Sequence, residues 1–200
     1  MATRSADAPL VIQRHWTAAE YRRLPEGPPY YELEDGRLIE WPLRSGTHQT
    51  IVGRLLIALA RYLDHHSLGE VWPAVAVELT PTRTYIPDLS FLLTANLGRF
   101  ADDIAIQGPP DLVVEVVSPS TAMRDKVDKF RAYHQAGVPW YWLVESDIRV
   151  ITEFRYKAEG YLVNQTANAA DTFTPPLFPG LSFHMADLID ASNLEEESHE

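Results

Sequence analysis

The chain has 200 residues, 46% of them apolar and 22% charged, with a net charge of −11 and no cysteine. That length supports one domain with a real core, and the missing cysteines exclude disulfides, thiolate zinc sites and cysteine nucleophiles while fitting a reducing cytoplasm. No apolar run approaches the roughly 18 residues of a membrane span, and no segment reads as a signal peptide.

The N-terminal stretch 1–16 reads as a flexible arm. Thr17-Ala-Ala-Glu20 is a capping box that opens a short helix ending before Pro25. Tyr30 to Glu34 and Arg37 to Trp41 form a hairpin pattern across Asp35-Gly36, a strong turn signal. An amphipathic helix follows from about Thr47 to His66, with Ile51, Leu55, Leu59 and Leu63 as its apolar stripe and Gly69 beyond its end. Val71 to Leu79 and Ile86 to Leu93 read as strands separated by the breaker Thr80-Pro81. Gly98 to Pro110 reads as a connector.

Leu112 to Val117 is rich in β-branched residues, the pattern of a buried central strand. Ser118-Pro119-Ser120 breaks it and caps a charged helix, Thr121 to His134, that stops at Gly137. Val138 to Glu145 and Arg149 to Tyr156 are further strands, with Tyr161 to Val163 as an extension of the second. Phe173 to Phe183 is Pro-rich and loop-like, and a short helix closes the domain from His184 to Ile189. The expected organisation is a single domain over 17–189 and a flexible acidic tail over 190–200. No internal repeat is present.

Two acids carry the chemistry. Asp88 follows Pro87 at the start of a strand-like run, and Glu115 sits inside the apolar strand with Val113 and Val117 on its face. A buried acid is costly, and a divalent cation shared by two carboxylates on neighbouring strands repays that cost. A lysine nearby would complete a site for metal-assisted hydrolysis of a phosphodiester. The chain has only three lysines, Lys126, Lys129 and Lys157, and two of them lie on the helix after Glu115. The bland alternatives are a solvated turn acid at Asp88, a buried acid paired with an arginine at Glu115, and a surface Asp125–Lys129 pair at i,i+4 spacing. His65-His66 suits the C-terminal end of a helix dipole. Trp140, Tyr141 and Trp142 read as strand core. No phosphate-binding glycine loop, dinucleotide motif or zinc-ligand pattern is present.

The chain resembles the restriction-endonuclease-like superfamily, whose signature is Pro-Asp followed by Asp/Glu-x-Lys, and more closely the Uma-two-type restriction endonucleases. The matching stretches are Tyr31-Glu-Leu-Glu-Asp-Gly-Arg-Leu38, His48-Gln49, Tyr85-Ile-Pro-Asp-Leu89, Pro110-Asp-Leu-Val-Val-Glu-Val-Val-Ser-Pro-Ser-Thr121, Arg124-Asp125, Lys129, Ala136-Gly-Val-Pro-Trp-Tyr-Trp-Leu143 and Phe178-Pro-Gly-Leu181. They run from about Thr17 to Leu188. The superfamily lysine belongs two residues after the second acid, and Val117 stands there instead. The resemblance implies that this lysine has migrated to the following helix, with Lys129 the first choice and Lys126 its substitute. It also implies an active-site or metal-linked role for Glu32, and His48 and Asp125 as accessory residues.

The resulting expectation is an α/β (α+β) fold, a mixed central sheet flanked by helices with an N-terminal hairpin. The expected function is a Mg²⁺- or Mn²⁺-dependent endonuclease acting on DNA in the cytoplasm. Asp88, Glu115 and the Val116 carbonyl would hold the metal, and Lys129 would steady the developing negative charge. A homodimer is expected, since two copies of one site cut both strands of a duplex. No organic cofactor and no membrane are expected. The charge argues for a rival. Phosphate binding usually calls for basic surface, and removing the tail acids Asp187, Asp190, Glu195, Glu196, Glu197 and Glu200 still leaves −5. A catalytically inactive binding or assembly module of the same fold fits that balance, as does a hydrolase of RNA or small nucleotides.

Overall fold

The computed structural model describes residues 11–12, 15–25, 27–40, 44–100, 102–117 and 124–189, with backbone alone at 11–12 and 124–126. The arm up to residue 10, the Ser118-Pro119-Ser120 cap and the tail 190–200 lie outside the described residues, as do the side chains of Asp125 and Lys126.

In chain order the elements are β1 (Val11–Ile12), α1 (Ala18–Tyr21), β2 (Tyr31–Glu34), β3 (Arg37–Glu40), α2 (Gly46–His65), β4 (Gly69–Pro73), β5 (Ala76–Thr80), β6 (Arg83–Tyr85) and β7 (Leu89–Leu93). A 3-10 stretch, Thr94–Phe100, leads to β8 (Ala105–Gln107) and β9 (Leu112–Val117). A π-helical turn, Arg124–Lys129, runs into α3 (Phe130–Ala136). Then come β10 (Trp140–Glu145), β11 (Val150–Lys157), β12 (Gly160–Ala167), β13 (Thr172–Phe173), β14 (Phe183–His184) and a 3-10 turn, Met185–Leu188.

The strands form two six-stranded sheets and one short pair. The central sheet has the order β12-β11-β10-β9-β7-β4, and the hairpin sheet the order β1-β3-β2-β6-β5-β8. β9 is the middle of the central sheet, parallel to β10 and antiparallel to β7. All six of its residues are buried, which suits a β-branched run with both faces covered. Period-two alternation sends Leu112, Val114 and Val116 to the side of α2, where Ile51, Leu55 and Leu59 meet them. Val113 and Val117 face Ala132 and Tyr133 of α3 and Tyr141 of β10. Fully burying each such aliphatic contributes about 1.5–3 kcal/mol, so this layering of helix, sheet and helix fixes β9 firmly.

Several expectations hold at residue level. Thr17 and Glu20 make the reciprocal capping box, the hairpin turns at Asp35-Gly36 with both residues at positive φ, and α3 ends at a left-handed Gly137. Five segments differ. Val71 to Leu79 is not one strand: it breaks at Ala74, φ +48, into β4 of the central sheet and β5 of the hairpin sheet. Pro73, which has no N–H to give a ladder, stands at the break. The Gly98–Pro110 connector contains β8, paired parallel to β5. Tyr161 to Val163 belongs to a separate eight-residue strand, β12, which returns antiparallel beside β11. Val11–Ile12, inside the stretch expected as an arm, pairs with β3. The final helix is a single 3-10 turn.

Candidate active site

Glu115 lies on the β9 face that looks toward α3, and it is fully buried. The β7–β9 register pairs Leu89 with Val114, so Asp88, one position before β7, stands level with Glu115. The strand thus supplies the spacing and Pro87 ends the regular ladder in front of it. Asp88 is 8% exposed. Its Oδ2 accepts the Val116 N–H at 2.7 Å and lies 3.1 Å from Nε2 of His48. His48 comes from the first turn of α2, where Ser45 caps the helix by accepting the His48 N–H. In extended backbone a residue's N–H and C=O point the same way, so the Val116 carbonyl sits on the edge of β9 that faces Asp88.

Glu32 enters from the other sheet. It is buried on β2, and its Oε1 accepts the Ile86 N–H at 2.9 Å. Ile86 belongs to the link between β6 and β7, which crosses from the hairpin sheet to the central one. The site is therefore built on the seam between the two sheets.

Lys129 closes the seam. Its Nζ is 2.9 Å from Oε1 of Glu115 and 3.0 Å from Oε1 of Glu32, and the side chain is fully buried. A surface Asp125–Lys129 pair is thereby corrected: three packed elements surround this lysine, and two carboxylates repay the desolvation of its ammonium. The reading of Glu115 as an acid paired with arginine is corrected in the same way, since its cation is a lysine. The position two residues after Glu115 belongs to Val117, 2% exposed in an apolar cluster, and Lys129 brings its charge to Glu115 from the helix instead.

Tyr133, one α-helical turn beyond Lys129, was given no role by the sequence reading. Its hydroxyl donates to the same Glu115 oxygen at 2.6 Å. Burial above all, and then the charge of Glu115, hold the Tyr133 phenol well above its ordinary pKa, so it acts purely as a donor. The signal was the i,i+4 spacing of Lys129 and Tyr133 on one helix face, which an apolar-looking tyrosine disguises as core. Behind Lys129 stands the ring of Tyr85, 5.6 Å away, and the Tyr85 hydroxyl donates to Glu34 at 2.6 Å.

Beside these groups opens a cleft of about 480 Å³ between the β2–β3 hairpin and α3. Arg37, Arg83, Tyr85 and Arg131 are among its walls. The remaining sequence candidates stay structural. His66 stacks on Tyr62 with ring centroids 4.0 Å apart. Tyr141 and Trp142 are core residues, and the Trp142 indole donates to the buried Glu153 at 2.8 Å. Among the described residues no three His, Asp or Glu side chains converge as a ready cation site. No helix of the described residues is long and apolar enough to cross a membrane.

Residues 18–186 match the family model Uma2, described as "Putative restriction endonuclease". No curated protein matches the chain. A solved structure from Anabaena variabilis, titled as a "putative nuclease belonging to DUF820", has the same fold, with a TM-score of 0.72 at 18% identity over 86% of this chain and 97% of that one. With a family match spanning both sheets and every element that feeds the seam, the chain belongs to the Uma2 family of restriction-endonuclease-like proteins.

Proposed function

We propose that this protein is a divalent-metal-dependent endonuclease that hydrolyses phosphodiester bonds in DNA. The observation that carries the reading is Lys129: a buried ammonium 2.9 Å from Glu115, delivered by the helix after β9 to serve the acid that stands level with Asp88.

The donor set fits a hard cation. Asp88 and Glu115 offer carboxylate oxygens, the Val116 carbonyl faces the same edge, and no softer ligand than His48 adjoins them. Three buried carboxylates, Glu32, Asp88 and Glu115, gather in the seam beside Lys129, and a divalent cation suits that concentration of negative charge. Such an ion, held by Asp88, Glu115 and the Val116 carbonyl, would supply Lewis acidity for activating a water and polarising a phosphoryl oxygen.

The protein's own groups do the rest. The Val116 N–H and His48 hold Asp88 in one orientation. Lys129 and Tyr133 both grip Oε1 of Glu115 and fix its rotamer. Glu32 holds the Lys129 ammonium close to the acids, where its charge stabilises negative charge developing on the phosphate. A homodimer is the assembly this reading favours for duplex cutting, and the cytoplasm is its location.

The test is titration of Mn²⁺ into the wild type and an Asp88→Ala, Glu115→Ala double variant by calorimetry, followed by a plasmid-nicking assay. The reading expects binding that the double variant loses, and nicking that Asp88→Asn and Glu115→Gln abolish. Nicking that survives in both single variants would overturn it. Absence of both metal binding and nicking in the wild type would favour the inactive binding module, which the net charge of −11 also suits.

A further inference from the structure

We infer that the cleft between the β2–β3 hairpin and α3 binds the sugar–phosphate backbone of a single DNA strand, with Arg37 and Arg131 as its two phosphate contacts. This inference rests on the nuclease reading and deepens it by naming the form of the substrate.

Four observations carry it. The first is adjacency. Glu32 pairs with Ile39 and Glu34 with Arg37 across the hairpin, and directly paired residues share a face. The face that presents Glu32 to Lys129 therefore continues into the cleft, which Ile39 and Arg37 line. Tyr85 is a wall common to the cleft and to Lys129.

The second is availability. Arg37 on the hairpin and Arg131 on α3 are both exposed, and neither has an ion-pair or hydrogen-bond partner among the described residues. Arg83, the third guanidinium of the cleft, is committed: it donates to Asp35 at 2.5 Å and to Gln135 at 3.3 Å. Two guanidiniums standing on opposite walls of one cleft are the planar, multi-donor groups that phosphate recognition uses.

The third is electrostatic. The body carries a strong negative charge, yet among the described residues the cleft's three arginines equal its three acids, Glu34, Asp35 and Asp128. The cleft is a neutral window in an acidic surface. Duplex DNA presents one charge per ~1.7 Å of its axis, and most of those would face acidic protein. A single strand threads few phosphates through the window.

The fourth is size. About 480 Å³ falls within the ~300–1,000 Å³ of small-ligand pockets, room for one or two nucleotides and too little for a turn of duplex.

The experiment is fluorescence anisotropy of a short labelled single-stranded DNA, the matching duplex and the matching RNA strand, in EDTA, over a series of salt concentrations. The full-length chain should bind the single DNA strand at least fivefold more tightly than the duplex. The Arg37→Ala, Arg131→Ala double variant should bind it at least tenfold more weakly. Its log–log salt slope should fall by about 1.4, because each phosphate contact on a single strand contributes about 0.7. Arg61→Ala, at an exposed position on α2, should leave both values unchanged. An unaltered slope in the double variant, or tighter binding of the duplex, overturns the inference, and preference for the RNA strand overturns its assignment to DNA. Because this binding needs no metal, Glu115→Gln should retain it. Arginine-dependent binding without nicking would sink the nuclease reading alone, and nicking indifferent to both arginines would sink this one alone.

Discussion

Lys129→Met removes the ammonium that bridges a buried pair of carboxylates. The Nζ sits 2.9 Å from Glu115 and 3.0 Å from Glu32. At an effective dielectric of about 20, each contact carries a gross attraction of about 6 kcal/mol, most of it offset by the desolvation of three charges. What the substitution exposes is the remainder, two acids stranded in a dry seam, and breaking a buried pair from one side costs about 3–5 kcal/mol. A domain of this size loses roughly 2–4 °C of Tm per kcal/mol, so the variant should melt about 6–20 °C below the wild type. Metal-free urea unfolding near neutral pH, followed by tryptophan fluorescence, gives the free energy directly. Adding Glu32→Gln and Glu115→Gln to the variant takes the stranded charges away and should recover at least half of the loss. A loss below about 1 kcal/mol, or no recovery in the triple variant, would refute the claim that Lys129 is held by these two acids.

Tyr133→Phe deletes a hydroxyl and leaves the ring packed. The lost hydrogen bond to a charged acceptor should cost about 1.5–3 kcal/mol in urea unfolding, and nicking should slow because Glu115 is less firmly oriented; a variant as stable and as active as the wild type would show that the 2.6 Å contact is idle. Glu153 offers a pH test. Burial raises its pKa above the ordinary 4.5, against the lowering effect of its Gln165, Asn164 and Trp142 donors. The unfolded chain then releases this proton first, so the folded state holds more protons in the interval above pH 4.5 and stability falls as pH rises through it. Glu153→Gln removes that slope, so its stability deficit relative to wild type should be largest near pH 4.5 and shrink toward neutrality. A deficit that grows with pH would reverse the sign and reject the desolvation argument.

Much of the site was legible because β9 obeys a single rule. A β-branched run needs two covered faces, and period two then tells which face Glu115 shares with Val113 and Val117. Asp88 was legible from Pro87 and from the strand that follows. The fate of Lys129 was not readable from its neighbourhood. It sits in a helix dense with charge, the usual mark of a solvated face, and its burial follows only from two acids arriving from different sheets. The split of Val71–Leu79 was hidden for a similar reason. Both halves are apolar and extended, and nothing local says that β4 joins β7 while β5 joins β6 and β8. Tyr133 was hidden by its own chemistry, since a tyrosine on an apolar helix face packs as core whether or not its hydroxyl serves a carboxylate. Val116 went half-read: its carbonyl drew attention, while its N–H, which holds Asp88, did not.

The seam between the sheets also sets when the buried cluster can first be complete. Glu32 leaves the ribosome early, Asp88 and Glu115 later, and Lys129 later still, so a chain stopped before the π-helical turn carries all three acids and none of the positive charge that lets them be buried together. On the nuclease reading, chemistry would begin only after both sheets have docked and α3 has closed over them. Fragments and half-folded chains would be disarmed on the same reading, because the last part of the site to be made is the part that holds the other parts in place.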